Sequence, residues 1–151
     1  MITVNGLEEL KALAGRDLGH SGWLEITQMR VDAFAGATGD HQWIHVDQER
    51  AAAGPFGGTI AHGYLTLSLV IPLFGELLDV RGVKMGVNYG LEKVRFPAPV
   101  RVGSKIRLAA VVVETADVPG NGVQTTLDFT VEIDGSAKPA CVARPIYRHY
   151  A

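Results

Sequence analysis

One cysteine, Cys141, is all the thiol this 151-residue chain contains. That excludes an intrachain disulfide framework and fits a reducing compartment. An excess of charge is missing too: 14 Lys and Arg against 16 Asp and Glu leave a formal net charge of −2. No electrostatic case follows for nucleic acid or an anionic membrane as the main partner. Nor is there a long unbroken apolar run. The most apolar stretch, Tyr64 to Leu78, is interrupted by Thr66, Ser68, Pro72, Gly75 and Glu76. It is too short to span a bilayer, so a buried helix is expected there. The first residues carry no positive flank followed by an apolar stretch, and no signal peptide is expected. Internal repeats, linkers and low-complexity tracts are also lacking. What is present, 47% apolar and 20% charged residues, reads as one domain over residues 1–151, cytoplasmic, with enough chain to bury a core unaided.

The order of elements follows from local patterns. Leu7, Leu10, Lys11 and Leu13 predict a short amphipathic helix closed by Gly15. Trp23 to Ile26 predicts a short strand. Thr27 is placed to cap a second helix carrying Met29, Val31, Phe34 and Ala35 and ending at Gly39. Asp40 to His45 then falls in a loop, Asp47 caps a short helix from Gln48 to Ala53, and Gly54 to Gly58 is open loop. From His62 to about Val80 the residues are apolar nearly all round, as in a helix enclosed by the fold, with a kink at Pro72. Everything after Gly82 reads as strand: Val83 to Tyr89, Glu92 to Phe96, Lys105 to Thr115, Val123 to Ile133 and Lys138 to Tyr147. Turn signals at Pro119 to Gly122 and at Asp134-Gly135 make the last three an antiparallel meander. The expected architecture is α+β, a curved antiparallel sheet wrapped around one long apolar helix.

Chemistry concentrates between Ala37 and Thr66. Asp40 and His45 sit five apart, a carboxylate and an imidazole able to share one water for acid–base work near neutral pH. An ordinary solvated or turn-capping pair has the same spacing. Gly63 opens the predicted apolar helix, where a bare backbone N–H and the helix dipole would face a developing oxyanion. His62 reads as a structural histidine beneath the loop rather than a second base, and Ser68 as a helix serine bonded back to its own helix. Trp43 and Phe56 are candidates for an apolar substrate pocket, with plain packing as the equal alternative. Gly57 and Gly58 either give the loop room near a ligand or satisfy a turn. His41 and His45 are four apart, but they fall in a loop and nothing completes a ligand set, so no metal is expected. Cys141, among small apolar residues of a strand, reads as an inert core thiol.

The run Phe34-Ala35-Gly36-Ala37-Thr38-Gly39-Asp40-His41-Gln42-Trp43-Ile44-His45 resembles the signature of the MaoC-like hydratases, (R)-specific enoyl-CoA hydratases of hot-dog fold. Its Gln-Trp-Ile-His wording most resembles the nodulation-protein-N-like branch. Ala61-His62-Gly63-Tyr64 is similar to that family's helix start, and Lys93 to Val100 to its later strand. The likeness covers essentially everything after residue 20. It implies that Asp40 and His45 are the catalytic pair, that Gly63 helps hold the oxyanion, and that Gln42, Trp43, Phe56, Gly57 and His62 lie around the substrate. Lys84, Lys93 and Arg95 are candidates for the coenzyme A phosphates, or are solvated edge-strand charges. No metal or redox cofactor is implied, coenzyme A being part of the substrate, and the fold family implies a homodimer joined edge to edge. Where many members have Asn-Pro, this chain has Gln42-Trp43; that departure bears on pocket shape more than on reaction type.

Three functions follow for comparison. The first is syn addition of water to a trans-2-enoyl-CoA to give a (3R)-hydroxyacyl-CoA, and its reverse, a hydro-lyase reaction of fatty acid metabolism. The second is thioester hydrolysis, which aims water at the carbonyl carbon. The third is an acyl-thioester binding subunit without catalysis.

Overall fold

In the computed structural model, which describes residues 1–151, the chain begins with a strand that the hydropathy pattern does not announce. This strand, β1 (Ile2–Asn5), leads into α1 (Gly6–Lys11), whose acidic first turn and Lys11 in the last turn both suit the helix dipole. Next come β2 (Asp17–His20) and β3 (Leu24–Glu25). β2 is a second strand not foreseen, because its Asp-Leu-Gly-His reads as a turn. The Asp17 carboxylate does accept the Gly19 N–H at 2.8 Å, and Gly19 has a φ of +81°. The helix α2 (Gln28–Thr38) starts where Thr27 Oγ1 accepts the Arg30 N–H and stops at Gly39 in left-handed backbone, as its caps predict.

α3 (Trp43–Val46) is a single helical turn, so His45 lies on a helix and not in the expected loop. α4 (Gln48–Ala52) follows at once, capped by Asp47. The long helix expected from His62 to Val80 is instead two short ones, α5 (Gly63–Ser68) and α6 (Val70–Gly75), followed by the strand β4 (Leu78–Arg81). Pro72 accounts for the break. It has no N–H to offer the Ser68 carbonyl four residues back, and its ring crowds that carbonyl. Leu78 to Val80 leave the helix to pair in parallel with β1, a partner some seventy residues away that no local pattern reveals.

The remaining strands are β5 (Met85–Arg95), β6 (Lys105–Val118), β7 (Gly122–Ile133) and β8 (Cys141–Tyr150). β5 is one strand where two were expected; register shifts after Asn88 and between Leu91 and Val94 carry it past Gly90 without ending it. β6, β7 and β8 form the antiparallel meander, and the sheet order is β2-β6-β7-β8-β5, with β3 beside β6. This is the hot-dog arrangement.

Alternate residues of the sheet point inward: Ile106, Leu108, Ala110 and Val112 from β6, Leu127, Phe129 and Val131 from β7. They bury against Leu65 of α5, Val70 and Leu73 of α6, and Leu69 between the two helices. The helical pair is not enclosed on all sides as expected: Tyr64 is 72% exposed and Ile71 46%. Beside it the edge strand β5 leaves Met85, Val87, Tyr89 and Leu91 exposed as well. No helix is long and apolar enough to cross a membrane.

Candidate active site

The turn after α2 holds Asp40. Left-handed Gly39 closes the helix, its N–H bonded to the Ala35 carbonyl at 2.8 Å, and turns the chain sharply. The Asp40 side chain is exposed, and its Oδ1 accepts the Gln42 N–H at 3.3 Å. Gln42 contributes this backbone contact at the head of α3.

His45 is buried, at 6% exposure. Its Nδ1–H donates to the Ile60 carbonyl at 2.7 Å. A carbonyl only accepts, so the proton of the neutral ring sits on Nδ1 and the Nε2 lone pair is left free for a proton. The surroundings are tied down. Gln28 Nε2 donates to the His45 carbonyl at 2.8 Å and Gln28 Oε1 accepts the Thr59 hydroxyl, while the Ile60 N–H donates to the Ile44 carbonyl at 3.0 Å.

His62 lies beneath both residues. Its Nε2–H donates to the Asp40 main-chain carbonyl at 3.0 Å, and its ring stacks on His45 with centroids 3.8 Å apart and planes 24° from parallel. Phe34 closes the far side at 4.8 Å. His62 Nδ1 is buried and has no partner. The side chain therefore fixes one residue of the pair by a hydrogen bond and the other by ring contact.

Asp40, His45 and His62 each present one ligand-type atom, and these atoms lie within 4.8 Å of one another. A metal fits this poorly. Two nearly parallel stacked imidazoles aim their in-plane lone pairs side by side, whereas the ligands of a tetrahedral ion converge. One water is a better match, since two ordinary hydrogen bonds of about 2.8 Å span such a gap.

Gly63 is the first residue of α5, so its N–H has no acceptor within the helix. A Cβ there would stand 3.3 Å from three carbons of the Phe96 ring, which gives the glycine a packing reason in addition to any ligand. Gly63, Thr66, Phe96 and Val100 line a recess of about 330 Å³. Along the same helical pair, Ser68, Ile71, Leu91, Phe129 and Tyr147 border a mainly apolar cavity of about 280 Å³. Ser68 bonds back to the Tyr64 carbonyl at 2.7 Å, as expected.

The other sequence candidates are dispersed. Trp43 is held by α4: Arg50 lies over its ring at 4.2 Å, and a Cβ at Gly54 would come within 3.1 Å of it. Phe56 is 37% exposed in the turn that follows. Gly57 has a φ of +70°, a conformation the turn itself requires, and its carbonyl accepts from Arg101 Nη2 at 2.9 Å. Lys93 shares a surface recess with Glu92, Asp128 and Arg144, and the Arg95 guanidinium donates to the neighbouring Val94 carbonyl. Cys141 is fully buried, and burial pushes its thiol up to about 11, consistent with an inert side chain. Gln28, Ile60, Phe96 and Arg101 were not singled out from the sequence; only Phe96, inside a recognised motif, carried a signal.

A family model described as MaoC like domain matches residues 9–133. Over all 151 residues, covering 100% of both proteins, the chain is 56% identical to the 3-hydroxyacyl-thioester dehydratase Z of Mycobacterium tuberculosis. It is 45% identical to Nodulation protein N of Rhizobium leguminosarum bv. viciae, covering 91% of this chain and 86% of that one. Among solved structures, the monoamine oxidase regulatory protein from Archaeoglobus superposes with a TM-score of 0.78 at 25% identity, covering 100% of this chain and 99% of the other.

Proposed function

We propose, from the premise that this chain belongs to the MaoC-like dehydratase family, that it is an (R)-specific 2-enoyl-CoA hydratase, working equally in the dehydrating direction. Hydration and dehydration of acyl thioesters is the chemistry of that family; the stereochemistry and the coenzyme A carrier are the finer reading. One observation carries it: His45, its Nδ1–H held by the Ile60 carbonyl, keeps Nε2 free in a cluster with the Asp40 carboxylate that spans at most 4.8 Å.

A water held by these two groups attacks the β-carbon of the enoyl thioester. The proton lifted from it returns to the α-carbon on the same face, so the elements of water are conserved and the addition is syn. Between those events negative charge gathers on the thioester oxygen. The N–H of Gly63, the first residue of α5, would stabilise that charge. His62 acts as a positioning residue for both members of the pair.

The assay uses purified protein and crotonyl-CoA. Loss of the enoyl absorbance with the thioester intact, and a product that chiral analysis identifies as (3R), supports the proposal. Release of coenzyme A thiol indicates a thioesterase, and binding without turnover indicates a non-catalytic subunit; either outcome overturns it.

The homodimer belongs to the same reading. A long apolar edge strand such as β5 is normally blunted or covered, and a second copy aligned on β5 would cover Met85, Val87 and Leu91. Sedimentation should give a dimer for the native protein and a monomer for Met85→Lys combined with Leu91→Lys. A native monomer would sink this part of the reading.

A further inference from the structure

Two guanidiniums engage the glycine turn that leads to Ile60, and neither has a carboxylate within ion-pair distance. Arg101 lies across Gly57 and Gly58, and Arg50 lies over Trp43, whose ring packs on Gly54. The Gly57 N–H closes the turn onto the Gly54 carbonyl at 3.3 Å, so both arginines attach to one tight loop, Arg101 directly and Arg50 through the Trp43 ring. Arg101 also bridges Ile60 through the backbone, and Ile60 is the residue whose carbonyl holds His45.

We infer that Arg101 and Arg50 form an anion clasp for the phosphate end of the substrate's pantetheine arm. The inference rests on the proposed acyl-thioester reaction. Arg101 is exposed, and the one hydrogen bond of its guanidinium to protein, from Nη2 to the Gly57 carbonyl, sets that group while leaving its other N–H groups to solvent. A guanidinium so fixed suits phosphate oxygens, which it can meet with two parallel hydrogen bonds. The glycines make room for it: a Cβ at Gly58 would stand 3.1 Å from Arg101 Nη2. A loop that needed only a turn could keep a side chain at position 58, where φ is not positive.

Lys93 is less suited to an anion. Lys93 shares its recess with the carboxylates of Glu92 and Asp128, which repel an anion, and Arg144 there is already bonded to Asp128 through two nitrogens.

The phosphate could be the diphosphate of coenzyme A or the single phosphate that joins pantetheine to a carrier protein. The test therefore uses three crotonyl thioesters, of coenzyme A, of 4′-phosphopantetheine and of pantetheine, with the native protein, Arg101→Gln and Arg50→Gln. In each variant the ratio of KM for the coenzyme A ester to KM for the pantetheine ester should rise about tenfold, the order expected for losing one charge-assisted contact. A parallel rise for the phosphopantetheine ester assigns the clasp to the phosphate beside pantetheine, and no such rise assigns it to the distal phosphates. An unchanged ratio overturns the proposal, whatever happens to kcat. Calorimetric titration with free coenzyme A needs no turnover and separates the two readings. Native protein that binds coenzyme A more tightly than both variants, yet hydrates nothing, keeps the clasp and removes the hydratase. Equal binding by all three removes the clasp alone.

Discussion

Asp40→Asn is expected to lower the rate of crotonyl-CoA hydration by about 100- to 10,000-fold, the range of a general acid–base group, with the unfolding midpoint held. The side chain is exposed, and an Asn oxygen still accepts the Gln42 N–H, so shape and turn are preserved while the charge is lost. The matching change at His45 needs more care. His45 is buried and its Nδ1–H holds the Ile60 carbonyl, so a residue unable to donate at that point leaves a buried acceptor unpaired, at a cost of about 1–3 kcal/mol. His45→Asn is the better probe, because its amide nitrogen lies where Nδ1 was while nothing replaces Nε2. It should match Asp40→Asn in lost activity and keep the fold. Near-native turnover in either variant, measured with circular dichroism as a check on folding, would discard the mechanism.

The largest loss of stability is expected from Phe129→Ala. Phe129 is 2% exposed, centred on β7, with its ring 5.2 Å from Phe74 and 6.2 Å from Tyr147. Removing a buried aromatic ring costs about 3–5 kcal/mol, part of it the void left behind. Collapse cannot close this void readily, since Phe129 already borders the cavity of about 280 Å³ and its neighbours Leu127 and Val131 are pinned in the central strands. Urea denaturation should show an earlier midpoint with an unchanged slope. A loss below about 0.5 kcal/mol, the scale of an ordinary surface change, would mean that the Phe74, Phe129 and Tyr147 cluster is not the keystone of this core.

What could be read from the sequence was whatever local chemistry decides. Thr27, Gly39 and Asp47 fix helix ends by bonds that span three or four residues, and all three act as predicted. The meander was legible because its strands follow one another across short turns. β1 was not, since its four residues become a strand only when β4 arrives beside them. Within the site, the spacing of Asp40 and His45 pointed to the pair, but the His62 stack and the carbonyl of Ile60 depend on a loop folding back over fifteen residues and more. Arg101 was less visible still, its bond to Gly57 reaching across 44 positions. Trp43 shows the converse: the sequence marked it as unusual, and only the structure reveals that Arg50 and Gly54 engage its ring.

The two irregularities in β5 have a consequence for solubility. An uncovered apolar strand with unpaired N–H and C=O groups is a template on which chains stack into fibres, provided that it is straight and regular. The register shifts after Asn88 and before Val94 bend β5 and interrupt its ladder, which shortens the regular stretch open to any added strand. Growth that satisfies one neighbour about a two-fold axis consumes that stretch and leaves no second edge of the same kind. The kinks thus work against filaments, and straightening β5 by redesign would lengthen the regular edge on which open-ended stacking can start.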